Sequence, residues 1–74
     1  EQYYLMVDPG AHVLAETDYR HEDRVIRMPA AWAKTWGGGR VFYQALGHHP
    51  DEFTQFPAAR TLTVRGCLWA AGLL

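Results

Sequence analysis

Met28 to His49, MPAAWAKTWGGGRVFYQALGHH, is the stretch that most restricts how this chain can fold. Trp32 and Trp36 stand before Gly37-Gly38-Gly39, and Val41, Phe42, Tyr43 and Leu46 stand after it. Aromatic and β-branched flanks around a glycine turn predict a β-hairpin: the glycines accept the positive φ of a tight turn, and the flanks suit a pleated surface. The hairpin then leads into Gly47-His48-His49-Pro50-Asp51. Titratable residues in a loop just past a strand end are where an open α/β sheet keeps its ligand site.

The remaining elements follow from local patterns. Tyr3 to Val7 is an aromatic and aliphatic run closed by the turn tripeptide Asp8-Pro9-Gly10, which predicts a strand over residues 2–7. VLAETDY, residues 13–19, predicts a second strand with one wet face. Arg20 to Arg27, RHEDRVIR, reads as a solvated connection, with His21, like His12, an exposed loop residue. Arg40 beside the glycines solvates the turn. It cannot complete a phosphate cradle there, because such sites need a helix N-terminus and this turn joins two strands. Asp51-Glu52-Phe53 predicts a short helical turn, and Pro57 suits the first turn of a final helix. Leu62, Gly66, Trp69 and Leu73, flanked by Val64 and Leu68, form the apolar stripe of that helix. Gly66 is expected to let it approach the sheet closely, and Cys67 to be a small buried hydrophobe within it.

Seventy-four residues form one small domain at most. A core of that size rarely supplies more than ~3–5 kcal/mol without staples, and a single cysteine excludes an intrachain disulfide. A reducing, cytoplasmic setting is expected, although one thiol also suits an exported protein. With 49% hydrophobic residues, the chain has more core-forming surface than it can bury alone, so it is expected to be the C-terminal piece of a longer protein. Its partners are then the remainder of its own domain or another copy of the chain, and in isolation it should self-associate and lack activity. The seven basic residues are scattered, which argues against nucleic acid, and the longest apolar stretch, residues 67–74, is too short to span a bilayer.

His48 and His49 are the sharpest chemical feature. An imidazole at a strand end can carry a proton or bind a metal ion. Neighbours on an extended backbone point apart, so the two are not expected to share one ion. His48 is the candidate ligand for a divalent metal. Asp51 can fix the tautomer of a histidine or cap the next helical turn. Glu1, Tyr3, Tyr4 and Asp8 form a second cluster, in which a carboxylate and phenols can bind sugar hydroxyls or the tyrosines can simply pack. Trp32 and Trp36 share one face of the hairpin, where they can line a carbohydrate pocket or cover the sheet.

EQYYLMVDP, VLAET, MPAAWAKTWGGGRVFYQALGHHPDEF and RGCLWAAG together resemble the C-terminal part of the ThuA-like (trehalose utilisation) domain. The resemblance implies an α/β fold: the C-terminal portion of a flavodoxin-like, class I glutamine amidotransferase-like three-layer domain. Residues 1–74 would contribute a strand, a second strand, the β-hairpin and a helix. It also implies a role in the catabolism of trehalose-type disaccharides or keto-sugars, with a small-molecule sugar as ligand. The matching pocket candidates are Glu1, Tyr4, His48 and His49, with His48 and His49 as acid/base or metal ligand and Glu1 as carboxylate partner. His49-Pro50-Asp51 is similar to the His-Pro-Glu of a Cys-His-Glu triad, with aspartate in place of glutamate. No upstream nucleophilic cysteine lies in this chain, and Cys67 cannot replace it, so glutaminase chemistry is not implied. The contrasting reading is a non-catalytic carbohydrate-binding or interaction module, with Trp32 as its contact.

Overall fold

A computed structural model describes residues 3, 5–47 and 49–74. Three strands, β1 (His12–His21), β2 (Arg24–Trp36) and β3 (Gly39–Gln44), form an antiparallel sheet in chain order, followed by helices α1 (Asp51–Gln55) and α2 (Pro57–Ala70). The content is α/β.

The glycine hairpin forms as its composition dictates. Gly37 and Gly38 take φ of 54° and 85°, and Gly39 is the first residue of β3, paired with Trp36. A second hairpin replaces the solvated connection expected over Arg20–Arg27. His21 pairs with Arg24, and Glu22-Asp23 is the whole turn, with Glu22 in the left-handed region at φ 55°. Residues 20–27 of this ribbon are exposed except Ile26, which is half-buried, so its charged side chains stay in water. His21 accordingly ends β1 and stacks on Tyr19, with ring centroids 6.2 Å apart.

Pro29 lies inside the central strand, where a missing N–H interrupts a ladder. The register accommodates it beside an irregularity. Glu16 pairs with Pro29 and Ala15 with Ala31, which leaves Ala30 extra on β2, and Leu14 is extra on β1 between Val13 and Ala15. The Ala30 carbonyl instead accepts from the Ala45 N–H at 2.9 Å on the other side.

The strand expected over residues 2–7 is not present in its described residues. Their segment crosses one face of the sheet instead of joining its edge. The Leu5 N–H points to Met28 Sδ at 3.2 Å, and Asp8 Oδ2 accepts from Lys34 Nζ at 2.9 Å. Helix α2 packs on the opposite face, against β3. Gly66 is its buried residue, and a Cβ there would overlap the ring of Phe42. The close approach expected of Gly66 is therefore real. The stripe is narrower than expected: Val64 is 50% exposed, Leu73 lies beyond the helix, and Cys67 is exposed. Arg40 does not simply solvate the turn. Its Nη1 donates to the carbonyls of Trp69 (2.9 Å) and Leu74 (3.0 Å), and its guanidinium stands 5.2 Å from the Trp69 ring centroid.

Among the described residues the buried apolar set is Met28, Ala30, Ala31 and Ala45. The accessible surface is 5818 Å², against about 4600 Å² for a compact monomer of this mass. The radius of gyration, 13.4 Å, likewise exceeds the ~11 Å of a compact chain of this length. No described helix is long and apolar enough to cross a membrane.

Candidate functional site

The loop after β3 is anchored at both ends. The Leu46 N–H donates to Gln44 Oε1 at 2.6 Å, and Gly47 lies so close under Phe53 that a Cβ would meet ring atom Cε2 at 2.8 Å. Beyond it, His49 and Glu52 bond reciprocally. The Glu52 N–H donates to the His49 carbonyl at 3.1 Å, and the His49 N–H to Glu52 Oε1 at 3.3 Å. Glu52 thus ties the first turn of α1 back to His49, the residue before the N-cap. Asp51 is the first residue of α1 and not its cap; Pro50 takes that place without a side-chain hydrogen bond. His49 and Asp51 are both exposed. Glu1, Tyr4 and His48, expected at the site, lie outside the described residues. Among the described residues no group of three His, Cys, Asp or Glu side chains is arranged to hold a metal ion.

Trp32 lies elsewhere, on the face crossed by the Leu5–Asp8 segment. Its ring stacks on Tyr43, its partner across β2 and β3, with centroids 5.1 Å apart and planes 17° from parallel. Its Nε1–H is buried without a partner. Lys34 Nζ lies 5.8 Å from the Trp32 ring and 5.2 Å from the Trp36 ring, and pairs with Asp8. A cavity of about 200 Å³ opens here, lined by Leu5, Asp8, Trp32, Lys34 and Tyr43 among others. Sequence reasoning singled out Trp32 but missed Lys34 as the cation between two indoles. Trp-x-Lys-x-Trp on a strand was the signal, because period-two alternation sets all three side chains on one face.

The opposite face carries a larger cleft of about 690 Å³ between β1 and α2, lined by Leu14, Phe42, Leu62 and Trp69, with His12, Arg65 and Lys34 also on its lining. His12, expected in a loop, is the first residue of β1 and lines this cleft. Neither His49 nor Asp51 lines either cavity. The described candidates therefore divide into an exposed histidine on a pinned loop and an aromatic face with a lysine–aspartate pair.

A family model described as ThuA, trehalose utilisation, matches residues 1–70. No curated protein and no solved structure matches the chain.

Proposed function

Because the chain belongs to the ThuA (trehalose utilisation) family, we propose that it is part of a domain that breaks down a trehalose-type disaccharide or a keto-sugar derived from one. In this reading a histidine after β3, His48 or His49, is the acid/base or metal ligand, and Trp32 contacts the sugar. The observation that carries it is the pinned loop. Phe53 over Gly47 and the reciprocal His49–Glu52 bonds restrain the backbone while the histidine stays exposed. Such restraint is what proton transfer requires, since a misplaced general base loses most of its effect.

The excess accessible surface supports a second part of the reading: the chain is one portion of a larger flavodoxin-like domain. Exposed apolar side chains such as Leu14 at 45% and Val64 at 50% would be covered by its other elements.

The test uses the intact protein with trehalose and its 3-keto derivative. His48→Ala and His49→Ala are assayed separately for turnover and thermal unfolding. Loss of roughly 10²-fold or more in turnover in one of them, with the melting temperature kept, is expected. Unchanged turnover in both, or a collapse of stability, overturns the assignment. Saturable binding without product in the wild type would favour the non-catalytic carbohydrate-binding module, a reading favoured by the stacked Trp32–Tyr43 pair.

A further inference from the structure

We propose that the sheet face bearing Trp32, Lys34 and Trp36 is the sugar-contact surface, with a pyranose ring stacked on Trp36 and its hydroxyls held by Lys34 and Asp8. The proposal rests on the sugar reading above and adds Trp36, Lys34 and Asp8 to Trp32 as contacts. Trp36 stands at the tip of the β2–β3 hairpin and the histidine loop follows the other end of β3, so this is a binding surface apart from the histidine.

Trp36 is 73% exposed at the tip of the glycine hairpin. Leaving so large an apolar ring in water is unfavourable, and because the Lys34–Asp8 pair stands beside it, Trp36 suits a polar ligand with an apolar face better than an apolar element of the same domain. An indole offers a flat apolar face that matches the C–H face of a pyranose. One edge of the platform is already polar. Lys34 Nζ sits 5.2 Å from the Trp36 ring centroid and 2.9 Å from Asp8 Oδ2.

Lys34 and Asp8 provide the complementary chemistry. An ammonium has three donors, of which Asp8 takes one, and the Asp8 side chain is 69% exposed, so its carboxylate keeps acceptor capacity toward solvent. A donor and an acceptor side by side match a vicinal diol, which presents one of each. The pair is electrically neutral as a unit, which suits an uncharged ligand better than a phosphate or a carboxylate. The adjoining cavity of about 200 Å³ is smaller than the ~300–1,000 Å³ of ordinary small-molecule pockets. It admits one ring or a hydroxymethyl group, so the rest of a disaccharide would lie out over Trp36. Lys34, between the two indoles, would bridge these positions.

Trehalose binding to the intact protein is measured by calorimetry and by tryptophan emission. Trp36→Ala is expected to weaken binding roughly tenfold or more, with Trp36→Phe keeping most of the affinity. Lys34→Met should weaken binding as well. Because Trp36 buries little surface, the melting temperature of Trp36→Ala should stay within about 2 °C of wild type. Sugar should shift wild-type emission to shorter wavelength, and Trp36→Phe should remove that shift. Wild-type affinity in Trp36→Ala overturns the proposal while leaving the sugar reading intact. A wild type that neither binds nor converts trehalose or its 3-keto derivative overturns both.

Discussion

Phe42 of β3 fills the space in which a side chain on Gly66 of α2 would stand. The missing side chain, and not backbone freedom, is what places Gly66 here, since it lies within the helix and is its buried residue. The contact sets the distance between helix and sheet.

Gly66→Ala therefore distinguishes helix propensity from packing. By propensity alone it should stabilise α2 by up to ~1 kcal/mol. The overlap with Phe42 instead predicts net destabilisation of about 1–3 kcal/mol, the usual cost of overpacking. Thermal unfolding of the variant decides the sign, and a raised melting temperature would show that α2 does not approach β3 this closely.

Glu22 offers the opposite case. It holds a left-handed backbone at φ 55°, which L side chains adopt at a cost. Glu22→Gly should stabilise the β1–β2 hairpin by about 0.5–1 kcal/mol, because the relief of strain exceeds the added freedom of glycine in the unfolded chain. Denaturant unfolding is the measurement; a loss of stability would mean that the turn has a different geometry.

Arg40 ties the end of α2 to the start of β3. The helix closes with Gly72 at φ 79°, the Leu73 N–H on the Leu68 carbonyl (2.8 Å) and the Gly72 N–H on the Trp69 carbonyl (3.0 Å), a Schellman arrangement. Arg40 adds a further donor to that Trp69 carbonyl. Arg40→Ala should cost about 1 kcal/mol, since both bonds are exposed, and should speed amide exchange at Gly72 and Leu73 before the sheet is affected. Exchange unchanged at these amides would remove the tie.

Phe53→Ala should release the loop carrying His49. With the ring gone from above Gly47, amide exchange at His49 and Glu52 is expected to accelerate while β2–β3 protection holds. Equal protection in variant and wild type would leave the loop anchored by the His49–Glu52 bonds alone.

Local chemistry was enough for the sequence to determine the glycine hairpin, α1, α2 with Pro57 at its start, and the close approach at Gly66. The first three depend on residues within a few positions of one another, through positive φ at Gly37 and Gly38, a fixed φ at Pro57 and a repeating apolar spacing; at Gly66 the glycine in the apolar stripe was legible, and its partner Phe42, on another element, was not. The histidine loop after β3 was legible for the same reason, although its Glu52 anchor was not singled out. Tertiary structure alone decided the rest. Residues 5–8 have a strand composition, yet bonds to Met28 and Lys34, more than twenty residues away, lay them across the sheet face. RHEDRVIR carries the charges of a loop, but cross-strand pairing draws it into a hairpin whose turn has no glycine. Cys67 lies one residue past the buried Gly66 and is carried by the helical rotation to the exposed side. Which face of an element is covered depends on what reaches it from elsewhere in the chain, and period and propensity do not contain that information.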